Sequence, residues 1–145
     1  MDHILLNNQN LLPKGMTLTT FEKALEKGVY PLKEETFETK VDITAVKEFV
    51  NSLNNEILTL FTNYLEDMGR ADATALNYAN KIKDVCDQCN IDVLSLYLET
   101  IYTVDDLIRM YSSSGVLAIE NRRQRYTPAT VLKAFEDFVI YERDY

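Results

Sequence analysis

A long apolar stripe constrains this chain more than any other feature. Ile43, Val46, Val50, Leu53, Ile57, Leu60, Tyr64 and Met68 recur at steps of three and four, a spacing that lines them along one side of an α-helix and along neither face of a strand. Phe49, Phe61 and Leu65 widen the stripe. Such a helix must bury its apolar side, and the rest of the chain offers helices to bury it against. No alternating apolar run bounded by hairpin turns occurs, and no internal repeat. The expected fold is all-α, a compact array of about five to seven helices joined by short connections.

Local signals place the boundaries. Asp42 can cap the stripe and Gly69 can stop it, giving either one long helix or two broken at Asn54-Asn55, and the polar run Asn51-Ser52 followed by Asn54-Asn55 favours the break. A second helix is expected from Ala73 to Cys89, with Asp72 as N-cap and Leu76, Ala79, Ile82, Val85 or Cys86, and Cys89 facing the core. A short helix follows around Val93, Leu94, Leu96, Tyr97 and Leu98. Thr103 and Asp106 have capping-box spacing ahead of Leu107, Ile108, Met110 and Tyr111. Ser112-Ser113-Ser114-Gly115 reads as a loop, with a further helical turn from Val116 to Asn121. Thr127 and Pro128 open a last helix that buries Val131, Leu132, Phe135, Phe138 and Val139. Residues 1–41 have a different texture. They hold Pro13, Pro31, Gly15 and Gly28 and one helix signal, Thr20 to Lys27, where Thr19 and Glu22 have capping-box spacing. Their apolar clusters, Ile4-Leu5-Leu6 and Leu11-Leu12, are expected to dock onto a larger body. The division is therefore an N-terminal arm, 1–41, and a helical domain, 42–145.

A chain of 145 residues has room for one full core. Its 46 % hydrophobic and 26 % charged content excludes collagen-like and disordered classes. No run approaches the ~20 apolar residues that span a bilayer, and the acidic, polar start does not read as a secretory signal, so no membrane association and a cytoplasmic setting are expected. The net charge of −8 opposes phosphate neutralisation and favours basic partners, such as the positive channel of a nucleic-acid enzyme.

Few residues suggest chemistry. Cys86 and Cys89 form a C-x-x-C near the end of a helix with Asp87 between them, a poor place for a thiolate, and no further pair completes a zinc site. They read as core or half-buried thiols. The carboxylate pairs Glu34-Glu35, Glu66-Asp67, Asp84 with Asp87, Asp105-Asp106 and Glu136-Asp137 lack the Lys, His or Gly partners of a hydrolytic site. His3 completes no triad. Without a phosphate loop or nucleophile motif, the chain is not expected to be an enzyme, and no cofactor or metal is implied. The basic residues are few but grouped. Arg122, Arg123 and Arg125 precede the last helix, and Arg70, Lys81 and Lys83 accompany Thr74, Asn77 and Tyr78. Guanidinium forks and helix N-termini bind phosphate.

The stretch Leu60 to Lys83, LFTNYLEDMGRADATALNYANKIK, resembles the N-terminal core-binding domain of tyrosine recombinases, the phage-integrase type with a SAM-like fold. Phe61, Tyr64, Leu65 and Gly69 fall on its F-x-x-Y-L pattern ending near a glycine, and Thr74 and Tyr78 on its capped second helix. Ala134, Phe135, Phe138 and Val139 fall near its closing helix, and YTPATVLKAFEDFV also resembles the last helix of modules that precede nuclease domains in restriction-type proteins. The resemblance covers about residues 45–142. It implies a helical bundle that contacts duplex DNA largely through phosphates, with Thr74 and Tyr78, and the neighbouring Arg70, Asn77 and Lys81, near the DNA. Two departures stand beside it. The chain closes soon after the last helix, so that family's catalytic domain is not expected here. Residues 42–145 also hold 10 basic and 17 acidic side chains, a net of −7.

Two functions emerge. The first is a non-catalytic module acting in nucleic-acid transactions of a mobile element or defence system, contacting duplex DNA or positioning a nucleic-acid-processing protein. Its contacts would be Arg70, Thr74, Asn77, Tyr78, Lys81, Arg122, Arg123 and Arg125. The second is an acidic protein-binding inhibitor or adaptor, as a phage might encode, using Glu66, Asp67, Asp84, Asp87, Asp105 and Asp106 to occupy a basic channel.

Overall fold

A computed structural model describes residues 3–13, 16–26, 43–99, 102–111 and 128–143. Among the described residues there are seven α-helices, one 3-10 turn and no strand. They run as α1 (His3–Asn7), the 3-10 turn (Gln9–Leu11), α2 (Leu18–Glu26), α3 (Ile43–Asp67), α4 (Asp72–Gln88), α5 (Val93–Leu98), α6 (Val104–Met110) and α7 (Pro128–Arg143).

The apolar stripe forms α3, a single helix of 25 residues, so of the two alternatives the unbroken helix is realised and the favoured break at Asn54-Asn55 does not occur. Each Asn costs only about 0.6 kcal/mol of helix propensity. Leu53, Ile57 and Leu58, buried on both sides of the pair, outweigh that by ~1.5–3 kcal/mol each. The stripe itself is buried at Val46, Val50, Leu53 and Ile57, with Leu60 and Tyr64 half-buried; Met68, expected to close it, is instead 57 % exposed. Gly69 ends the helix as expected. At φ +94° its N–H donates to the Glu66 carbonyl (3.0 Å), and the Arg70 N–H reaches back to the Leu65 carbonyl (2.9 Å), the double bond of a Schellman close.

α4 and α5 both pack against α3, and α7 closes the array against α4 and α6. Aromatic rings join these layers. Phe61 of α3 meets Phe135 of α7 edge-on (centroids 5.2 Å, 83°), and Phe138 touches Phe61, Tyr64 and Tyr97. α7 buries Val131, Leu132, Phe135, Phe138 and Val139, the five predicted from its periodicity. On α6 the predicted capping box is present: Thr103 Oγ1 accepts from the Asp106 N–H and Asp106 Oδ2 accepts from the Thr103 N–H, both at 3.0 Å. Leu107 and Tyr111 are buried there, and Ile108 and Met110 are half-buried against the core.

The first residues carry more structure than one helix. Ile4 and Leu5 of α1 are 1 % exposed and belong to the same core as α3–α7, while Leu6 and Leu11 face solvent. Phe21 of α2 stands edge-on to Phe49 (5.0 Å, 78°), and Asn8 Nδ2 donates to Glu56 of α3 (2.9 Å). The cap of α2 is Thr17, whose Oγ1 accepts from the Thr20 N–H (3.2 Å), rather than Thr19. The predicted features at Asp42, Gly28, Thr127 and residues 112–121 lie outside the described residues.

Candidate functional site

α4 carries six of the candidate residues, more than any other described element, and its two ends differ. Its start was expected to be capped by Asp72. The N-cap is Ala71, with no side-chain cap bond, and Asp72 occupies the first turn, where a carboxylate meets the positive end of the helix. Around the adjoining elbow, Glu66 near the end of α3 lies close to both Asp72 and Asp67. Reduced solvation, together with the Asp72 and Asp67 carboxylates, pushes the Glu66 carboxyl above its ordinary value.

Arg70 sits at this elbow with its guanidinium 5.8 Å from the centre of the Tyr78 ring, within cation–π range. Tyr78 is a correction to its expected place at a DNA surface. It is 4 % exposed, on the side of α4 that buries Ala75, Ala79 and Ile82, so its ring is core, with the Arg70 guanidinium over it. Thr74, Asn77 and Lys81 follow at three- and four-residue steps, which puts them on one edge of α4. Thr74 and Lys81 are half-buried, and Asn77 is exposed. Lys83 lies about 200° around the helix from Lys81, so α4 does not present its cations together. Leu76, expected in the core, is 58 % exposed. Arg122, Arg123 and Arg125 lie outside the described residues.

The six acidic candidates are dispersed. Glu66 and Asp67 stand at the elbow. Asp84 is exposed on α4, and Asp87 lines a cleft at the far end of that helix. Asp105 is exposed on α6. Asp106 is spent on the capping box and on a 2.6 Å pair with Arg109, which together hold its carboxyl below its ordinary value.

That cleft, of about 340 Å³, is the feature missed from the sequence. Asn51, Asn54 and Asn55 of α3 form one wall, Lys83 and Asp87 of α4 the other, and Asp92 its end. Leu58, Cys86, Ile91 and Val93 supply apolar lining. Its geometry follows from how α4 stops. Asn90 takes φ +55°, its N–H donates to the Asp87 carbonyl (3.3 Å), and the Ile91 N–H reaches the Cys86 carbonyl (3.0 Å), a second Schellman close. The chain then enters α5 at Asp92, whose own side chain makes no cap bond. Asn54 caps α5 from α3 instead: its Oδ1 accepts from the Leu94 N–H (2.8 Å), and its Nδ2 reaches toward Asp92 Oδ1 (3.4 Å). Burial raises the Asp92 carboxyl above its ordinary value, and the Asn54 bond opposes that rise. The signal in the sequence was the Asn51–Asn55 run itself, read as a helix breaker when it is a polar wall. Cys86, 2 % exposed, has its thiol pushed far up by burial, with Cys89, Asp92 and Asp87 adding to the shift. Cys89 is half-buried. Among the described residues, no group of three His, Cys, Asp or Glu side chains could hold a metal ion, and no helix is long and apolar enough to cross a membrane.

Fold and site together define a compact all-α protein with a charged elbow and a polar cleft at opposite ends of one helix. No protein-family model, curated protein or solved structure matches the chain.

Proposed function

We propose that this chain is a non-catalytic helical binding module acting in nucleic-acid transactions, touching duplex DNA weakly along the α4 edge. The observation that carries this reading is the sharing of one α4 edge by Thr74, Asn77 and Lys81, with Arg70 at the elbow just before the helix, its guanidinium over the Tyr78 ring. Two cations and two neutral donors suit phosphate contact, and Glu66, Asp67 and Asp72 beside them keep it weak. The recombinase-like pattern at Phe61, Tyr64, Leu65, Gly69, Thr74 and Tyr78 agrees with this role, although Tyr78 serves by packing.

Salt dependence tests it, because the slope counts the phosphates neutralised. If Arg70 and Lys81 alone engage the backbone, affinity for a labelled random duplex falls about tenfold between about 50 and 200 mM salt; with Arg122, Arg123 and Arg125 engaged as well, the fall is several hundred-fold. Fluorescence anisotropy separates these outcomes, and no binding at the lower salt overturns the reading. The second reading, an acidic inhibitor or adaptor that enters a basic channel, is favoured by one observation, the closeness of Glu66 to both Asp72 and Asp67 at the elbow.

A further inference from the structure

We infer that the cleft between α3, α4 and the start of α5 seats the guanidinium of an arginine side chain presented by a partner protein. This goes beyond the DNA contact, since the cleft opens on the far side of α4 from Lys81.

The volume, about 340 Å³, lies at the small end of the ~300–1,000 Å³ range of ligand sites, which suits one side chain better than an extended ligand. The polar groups divide into a fixed set and a free set. Asn54 and Asp92 are bonded to each other, and Asn54 also caps α5, so they hold the end of the cleft in place. Asn51, Asn55, Lys83 and Asp87 line the same space, and among the described residues their side chains make no hydrogen bond or ion pair. Asp87 offers a carboxylate, and Asn51 and Asn55 offer amide oxygens from the opposite wall. Acceptors spread over two walls match the planar, five-donor fork of a guanidinium better than the compact ammonium of lysine.

Charge points the same way. Asp87 and Asp92 against Lys83 leave the lining negative, and the C-terminal end of α4 adds the negative pole of its dipole. The apolar lining of Leu58, Ile91 and Val93 gives the methylenes of an arginine stem a dry surface. At long range, a chain of net charge −8 draws basic protein surfaces toward it.

The test is an NMR titration of the full-length, ¹⁵N-labelled protein with N-acetyl-arginine-N-methylamide, alongside its citrulline and lysine counterparts and free arginine. The arginine amide is expected to shift the side-chain amides of Asn51 and Asn55 and the backbone of Asp87, saturating at around 1 mM, as a ligand this small allows. Asp87→Asn is expected to weaken binding about tenfold by removing the charge-assisted bonds. Because Asp87 is exposed and makes no side-chain bond, the variant should keep the wild-type spectrum elsewhere. The citrulline amide, of the same shape without the charge, is expected to bind at least tenfold more weakly, and the lysine amide several-fold more weakly. The inference is overturned by an absence of shifts at 20-fold higher ligand (on the scale set by), by equal binding of citrulline, or by an unchanged Asp87→Asn affinity. Shifts confined to Glu66, Asp67 and Asp72 also overturn it. Free arginine binding tenfold more tightly than the blocked amide would do so too, by making the ligand a free amino acid. None of these outcomes bears on DNA anisotropy, so the two proposals fail separately.

Discussion

The two joints of α4 use the same backbone device in opposite surroundings. At residues 68–71 the chain turns through Gly69, where nothing lies within 4 Å of where a Cβ would sit, and every residue of the turn is exposed. At residues 89–92 it turns through Asn90, and the next residue, Ile91, is 2 % exposed. The first joint is held by its own backbone bonds. The second is also held by burial of Ile91 and by Asn54, which reaches it from a helix 40 residues away in sequence. A turn written in local residue preferences is left open to solvent and free to carry charge. A turn held by tertiary contacts builds a cleft.

That contrast can be broken by mutation, beginning where the effect is largest. Ile91→Ala is expected to destabilise by about 2–4 kcal/mol through the cavity it leaves, while Met68→Ala at the open joint should stay within ~0.5 kcal/mol. Urea unfolding of both variants checks this, and equal losses would erase the distinction. Asn54→Ala comes next, at about 1–2 kcal/mol, because it removes the cap of α5 and leaves the Leu94 N–H without its acceptor. The same measurement should show an unchanged m-value. Gly69→Ala is expected to cost about 1 kcal/mol from backbone conformation alone, since the added methyl meets nothing. Asn90→Gly should move stability by less than ~0.5 kcal/mol, because glycine and asparagine both accept a left-handed turn.

A pH series sharpens the comparison at the buried joint. The Asp92 carboxyl is raised in the folded protein by burial, so between its ordinary value and that raised one the folded state binds more protons than the unfolded. Its contribution to stability is therefore fully present below the ordinary carboxylate range and is lost as pH rises through the folded value. Asp92→Asn is expected to flatten that part of the stability profile; an unaltered profile would show that Asp92 does not titrate across it. Smallest in energy, but easily read, is thiol reactivity. With its thiol pushed up by burial, Cys86 should alkylate far more slowly than Cys89 under native conditions, as peptide mapping after iodoacetamide treatment would show.

Much of the helix plan was legible because it is local. Thr103 with Asp106, Gly69 and the α7 periodicity each state their structure within a few residues, and each is found where those residues place it. The failures share one cause. Asn54-Asn55 reads as a breaker by residue type, Leu76 and Met68 as core by helical spacing and Tyr78 as a DNA-side ring by resemblance, yet each one's role depends on which element lies opposite. Asn54 reads as a breaker until α5 arrives to be capped, and Tyr78 reads as a surface ring until its side of α4 meets the core. The cleft was illegible for the same reason, since its walls come from three elements that only packing brings together.

Sequence alone therefore determined the class of the fold, the helical periodicities and the local caps, because 3.6-residue spacing and turn chemistry act over a few residues. Tertiary structure decided which polar groups stay free. Whether an asparagine caps, lines a cleft or faces water is set by neighbours distant in sequence, through burial and hydrogen-bond satisfaction that no local pattern encodes.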